Sequence, residues 1–343
     1  MLKKNQHVID HIRRYRFTFW LVIFTGLLNN IVSFLLPVSI GEFFTIFFHT
    51  GSTKGKLLSW MGIDLTTVTQ FFLFFCVLII LKAIFTFAEN YGTFRQGELF
   101  VKQIREAVFS TQMWWSAASS LDRSYGKYLL RYSNDLKSVQ NYLTKGYIDG
   151  IRSSLFLITG LLVMLKINWE LTLLLSFLLI LVVVLVYRLA QWQTRFIVDS
   201  RSTRSSLLAY VARRFSGFLK LKARQGEQDA IDSFYEKSGI LFQANMKYNI
   251  SESVLISIVP VLIFTIIGTL LWRMIFLPGS ITASEGLMLV LILLMMEGGI
   301  RRVLKVPTYL NKGKISLQKI SKLYDEPNPG HQRIQPIKLN VGI

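Results

Sequence analysis

The chain is predicted to be an all-α membrane protein, with six transmembrane helices and two long helical hairpins reaching out of the bilayer on one side. Three observations predict this. Its 343 residues are 52% hydrophobic and 13% aromatic, and the mean hydropathy is +0.42. Six apolar stretches approach or exceed the ~20 residues that a bilayer core requires. Two long polar excursions, Tyr91 to Tyr147 and Arg188 to Lys247, lie between them, and neither contains a proline.

The elements follow in order. Residues 2–16 form a basic segment with Val8, Ile9 and Ile12 on one side, suited to an amphipathic elbow along the membrane surface. The expected spans cover about 17–48, 66–90, 151–167, 171–187, 254–276 and 282–304. The first carries Pro37 and the fifth Pro260, which membrane helices tolerate. The third and fourth are short, so both should continue into the polar excursions. In the first excursion Phe100, Val101, Ile104 and Val108 share a helical face, as do Leu136, Val139, Leu143 and Tyr147 on its return arm. A helix running from Tyr91 to Trp115 would reach roughly 36 Å beyond the membrane. The alternate loops are 50–64, a tight turn at 166–170, and Pro278-Gly279-Ser280. Beyond Leu304 come Pro307 and a basic helical stretch, Ile315 to Tyr324. The membrane domain is therefore placed at 1–325. Residues 326–343, opening on Glu326-Pro327-Asn328-Pro329-Gly330, read as a linker, and Ile337 to Ile343 as the first strand of a following domain.

The formal charge of +19 is a topology signal. Of 39 Lys and Arg, five precede Phe17, eight lie in the first excursion, eleven in the second and nine from Arg301 onward. Only Lys54, Lys56, Lys166 and Arg273 fall in the alternate loops, and Lys82 and Arg152 lie in or beside spans. Positive charge on one side places both termini and both excursions in the cytoplasm. Nucleic-acid binding is disfavoured by the same distribution. The expected location is a membrane, that of the bacterial cytoplasm. The basic start is not a cleaved secretory signal, because the apolar run is long, contains Asn29, Asn30 and Pro37, and lacks a small-residue cleavage site. A lone mid-span Cys76 supports neither a disulfide framework nor a metal cluster. The four histidines, His7, His11, His49 and His331, are scattered and read as solvated.

Intramembrane polar residues mark candidate parts of a translocation path. Lys82 and Glu297 lie at similar depth, 16 and 15 residues from the outer ends of their spans, and are expected to pair, within one subunit or across a dimer. Asn29 and Asn30 either line the path or bond between helices, and Gly298 and Gly299 permit close helix contact or a bend.

Several motifs then occur in a telling order. The first excursion holds Arg105 with Val108 and Phe109, then Gly126, Arg131 and Asp135. The second holds Gly217, Lys222, Glu227 and Phe234, and Ser316 to Tyr324 with Asp325 and Glu326 follow the last span. This combination resembles the transmembrane domain of ABC exporters, over about residues 10–330. Two departures stand out: Arg213 where the family often has an acid, and no proline in the fourth span. The resemblance implies that the excursion tips form short coupling helices near Trp115–Leu121 and Ser216–Lys222, which dock on nucleotide-binding domains. The residues so implied are Trp115, Ser116, Leu121, Asp122 and Gly126 in the first tip, and Ser216, Gly217, Phe218, Leu219 and Lys220 in the second. Trp114, Trp115, Phe215 and Phe218 would serve as interface anchors. The implied partners are a nucleotide-binding domain, a second membrane domain and the lipid bilayer.

The chain contains no G-x-x-x-x-G-K-[ST] phosphate cradle, so ATP hydrolysis by it alone is not expected, and it carries no cofactor of its own. ATP and Mg²⁺ are expected at a nucleotide-binding domain supplied elsewhere. The leading reading is the membrane part of an ATP-driven exporter that dimerises and works by alternating access. The alternative is a transport-inactive scaffold or regulator of the same shape. A six-span channel fits poorly, since no span repeats Arg every third residue.

Overall fold

The computed structural model describes residues 6–48, 67–114, 132, 135–276 and 282–324. The described chain is helical throughout. The elements are α1 (Gln6–Arg14), α2 (Arg16–Phe48), α3 (Val68–Met113), α4 (Leu136–Asn141), a π-helical stretch (Tyr142–Ile148), α5 (Asp149–Ile167), α6 (Trp169–Ser216), α7 (Phe218–Ala223), α8 (Glu227–Phe276) and α9 (Ala283–Tyr324). The two short spans do continue into the excursions: the third lies in a helical run from Leu136 to Ile167 and the fourth in α6, which runs 48 residues, while α8 runs 50. Each is far longer than a bilayer needs.

Five helical runs are long and apolar enough to cross a membrane: Arg16–Thr45, Val68–Met113, Leu136–Ile167, Trp169–Ser216 and Glu227–Phe276. The sixth expected span is the first half of α9. This stretch carries Glu285 and Glu297 and is enclosed in the bundle, with Leu289, Ile292, Leu293 and Ile300 all buried. Long apolar side chains on α3 and α6, such as Leu73, Ile80, Phe87, Phe177 and Ile180, are instead exposed, as lipid-facing residues should be.

Local chemistry sets the breaks. Asn168 leaves the helical region at φ −152°, ψ 109° and accepts from the Leu171 amide at 3.2 Å, which separates α5 from α6. Thr67 caps α3 reciprocally with Gln70. Pro37, Pro260 and Pro307 all sit inside continuous helices. For Pro307 this differs from the expectation that the last span ends near Leu304.

The helices pair as α2 with α3 and α6 with α8, and α9 runs between the pairs and touches every other long helix. Phe34, Phe156, Met164, Leu175, Ile263 and Ile292 form the inner core. Close approach is permitted by small residues. A Cβ on Gly313 would lie 2.2 Å from Tyr142 Cβ, so only glycine lets α9 lie against the π-helical stretch. Gly299 has the same use beside Phe156, whereas Gly298 faces open space.

A second core forms at the end of the bundle that carries the basic residues, from Phe100, Val139, Leu143 and Leu317 with Val8 and Phe19. The elbow α1 docks here. His11 is buried, not solvated. Its Nδ1 lies 2.8 Å from Gln103 Oε1 and its Nε2 3.1 Å from Gln96 Oε1, while its ring packs on Phe100. Burial lowers the His11 pKa below the ordinary 6.5, Arg14 acts in the same direction, and the two glutamine bonds oppose it. The docked elbow therefore favours neutral imidazole. Its stability contribution is full above about pH 6.5 and declines as the pH falls below that value toward the lower docked pKa. Hydrogen exchange of the α1 amides, corrected for intrinsic rates, is expected to be faster at pH 5.5 than at pH 7.5. A His11→Gln variant should lose that difference.

Candidate functional site

Two regions concentrate functional chemistry. One is the tip of the hairpin made by α6 and α8. Gly217 ends α6, the six-residue α7 forms the tip, and Gln225 turns the chain back at φ 49°. The Gly226 amide donates to Leu221 O at 3.2 Å, and Lys222 pairs with Glu227 at 2.8 Å. Ser216 Oγ bonds only back to its own helix, at Ala212 O. Phe215, Phe218 and Leu219 are 72%, 47% and 83% exposed, and Lys220 is exposed beside them. A short helix was expected near Ser216–Lys222, and α7 lies at Phe218–Ala223, two residues later at its start and one at its end. The arms of the hairpin are held together by Tyr210, whose hydroxyl donates to Ala230 O at 2.9 Å across the hairpin, with Arg214 and Lys237 over its ring. Sequence reasoning missed Tyr210; its aromatic ring among basic residues was the available signal. The other tip, with Trp115, Ser116, Leu121, Asp122 and Gly126, lies outside the described residues.

The second region is a polar network between α2, α3 and α5. Lys82, Thr86, Glu89 and Thr93 recur every three or four residues and form one stripe on α3. Asn29 donates to Glu89 and accepts from Thr86 Oγ1 at 3.2 Å. Arg152 forms an ion pair with Glu89 and donates to Thr93 Oγ1 at 3.1 Å and Asp149 Oδ1 at 3.2 Å. The pair is enclosed, with side chains 12% and 7% exposed. Gly26 makes room for it, since a Cβ there would come within 3.1 Å of Arg152 Cγ. Asn30 sits against α5, where its Nδ2 donates to Arg152 O at 3.3 Å. Both asparagines therefore bond between helices.

Within the chain, the expected pairing of Lys82 with Glu297 does not occur. Lys82 donates to Ser33 Oγ on α2, and Glu297 takes Arg301 one turn along its own helix at 2.5 Å. Matched depth put the two charges at one level but not on facing sides, and a nearer partner satisfied each. The missed residues are Glu89 and Arg152. The α3 stripe was a readable signal; that Arg152 of α5 meets it was not. Arg302 lies within electrostatic reach of Lys82, Arg152 and Asp149, and its guanidinium covers the Phe156 ring at 5.5 Å. Three cations thus gather near the basic end of the bundle with two acids, Glu89 and Asp149.

Residues 19–297 match the family model described as the ABC transporter transmembrane region. An ATP-dependent lipid A-core flippase of Pseudoalteromonas translucida (strain TAC 125) is 25% identical over 256 residues, covering 73% of this chain and 43% of that protein. A second protein of that name, from Legionella pneumophila subsp. pneumophila (strain Philadelphia 1), is 24% identical over 328 residues, covering 94% and 54%. The chain spans about half the length of these curated relatives.

Proposed function

Because this chain belongs to the ABC transporter transmembrane-region family, we propose that it forms the translocation path of an ATP-driven exporter whose cargo is an amphipathic lipid with an anionic headgroup. Two such membrane domains enclose the path, and nucleotide-binding domains bind ATP and Mg²⁺ and drive alternating access. The termini and both hairpins face the cytoplasm of a bacterial inner membrane, as the charge distribution favours. The observation that carries the coupling role is the α6–α8 hairpin: two long helices are joined by the short α7, and Phe215 at the end of α6 with Phe218 and Leu219 on α7 are left exposed among the described residues. A short helix at the end of two long arms converts movement of a docked domain into rotation of the spans.

The cargo class is supported by Lys82, Arg152 and Arg302, and by the similarity to lipid A-core flippases. Of the three cations, Arg152 is taken up by Glu89, so Lys82 and Arg302 are the groups left to meet a headgroup. The test is the assembled transporter in liposomes, with ATP-dependent transport measured for an anionic and a zwitterionic lipid. Lys82→Gln with Arg302→Gln should raise the half-saturating concentration of the anionic lipid about tenfold, as expected for lost charge-assisted bonds, and leave the zwitterionic one unchanged. Equal effects on both lipids would remove the anionic-cargo reading. No ATP-dependent movement of any lipid by the assembled complex would favour a scaffold.

A further inference from the structure

A separate pocket of about 340 Å³ opens between α6, α8 and α9, lined by Ser200, Arg201, Arg204, Asn245, Tyr248 and Lys312 among others. No Asp or Glu lines it among the described residues. We propose that this pocket binds a soluble anion carrying two or more phosphate groups, and so gives the transporter a regulatory site on its cytoplasmic side.

Charge and chemistry support this ligand class. Arg204 and Lys312 both lie within electrostatic reach of Arg201, so three like charges converge on one cavity. Two acids act from outside it. Asp135 acts on Arg201 while accepting from Ser316 Oγ at 2.9 Å. Glu252 acts on Lys312 but is shared with Lys305 at 3.9 Å. Burial, and then the neighbouring Arg201, hold the Lys312 ammonium below its ordinary pKa of 10.5, with Glu252 opposing. A bound polyanion relieves that repulsion. Guanidinium groups suit it because their planar donors engage phosphate oxygens two at a time. Arg201 is pre-positioned: it donates to Lys312 O at 3.4 Å and Ser138 Oγ at 3.3 Å. Ser200 is bonded to Asn245 Oδ1 at 2.6 Å, which orients that amide. The pocket volume exceeds the needs of one phosphate group.

Depth decides between a dissolved phosphate and a lipid headgroup. Lys312 lies eight residues beyond the span ending at 304, and Arg201 and Arg204 lie 14 and 17 beyond the span ending at 187. At 1.5 Å per residue the cations sit about 12–26 Å outside the hydrocarbon. The headgroup layer is only about 5–8 Å deep on each side. A dissolved phosphate compound reaches the pocket, and a headgroup of a lipid in the bilayer does not.

The test is calorimetric titration of the intact chain, in nanodiscs of phosphatidylcholine and phosphate-free buffer, with sodium tripolyphosphate. Saturable binding is expected, weakening as salt rises. Arg204 is exposed, so Arg204→Gln should fold normally, and it should weaken binding about tenfold, as expected for loss of a charge-assisted bond. Lys102→Gln, an equal charge change at an exposed site on α3, should leave affinity unchanged. No saturable binding, or equal weakening by both substitutions, overturns the proposal. A second arm uses nanodiscs containing phosphatidylglycerol. Unchanged tripolyphosphate affinity supports a dissolved ligand, and competitive loss of binding there assigns the pocket to lipid headgroups and overturns that source. Because binding is read directly, the result does not depend on transport or cargo.

Discussion

Arg152→Met is expected to destabilise the folded chain by about 3–5 kcal/mol, because it leaves Glu89 as an uncompensated charge inside the bundle. Glu89→Gln should be damaging for the mirrored reason, stranding the guanidinium with only Thr93 and Asp149. The double variant should recover much of the loss, since a neutral pair of similar volume carries no desolvation penalty. Thermal or denaturant unfolding in detergent, arranged as a double-mutant cycle, reads the coupling directly. Single effects that add to within about 0.5 kcal/mol would mean that the pair contributes nothing as a pair. The same cycle on Lys82→Gln and Glu297→Gln should be additive, because those residues bond to Ser33 and Arg301 and not to each other. The two cycles together separate an ion pair that the fold makes from one that depth alone suggests.

Phe218→Ala should leave membrane insertion and folding intact while uncoupling the chain from its ATPase. The side chain is 47% exposed at the tip, belongs to neither core cluster of the described residues, and has Lys222 5.9 Å from its ring. Within the chain, little is lost by removing it. At an interface, loss of a central aromatic anchor commonly costs about 2 kcal/mol or more, roughly thirtyfold in affinity. Co-purification and ATPase stimulation by the nucleotide-binding partner are the measurements, with Trp115→Ala as the companion at the other tip. Unchanged partner affinity together with unchanged transport in both variants would assign these aromatics to closing the ends of the hairpins. Tyr210→Phe adds a graded test within the same hairpin. It keeps the ring and removes the hydroxyl bond to Ala230 O, so it should loosen the arms without touching the docking surface.

The sequence by itself determined the class and the continuity of the long helices beyond their apolar stretches. These properties are local. A run of apolar residues in lipid has no partner for its backbone except itself, so a helix follows from composition alone. Helix breaks were equally legible, since Asn168 and Gly217 act on their own turns. The short helix at the α6–α8 tip was placed to within two residues by the family resemblance. Pairing between distant segments was decided only by the tertiary structure. Lys82 and Glu297 agree in depth, and depth is one coordinate; the rotation of each helix about its axis is the other. That rotation is set by which small residues allow which faces to touch, such as Gly26 beside Arg152 and Gly313 beside Tyr142. The same packing buried His11 between two glutamines 85 and 92 residues away, where composition suggested a solvated side chain. It also gathered Arg201, Arg204 and Lys312 around one pocket, although they lie on two helices more than 100 residues apart in sequence. Insertion into a bilayer is read one residue run at a time, whereas a site needs side chains from several helices, and only close packing fixes which of them meet.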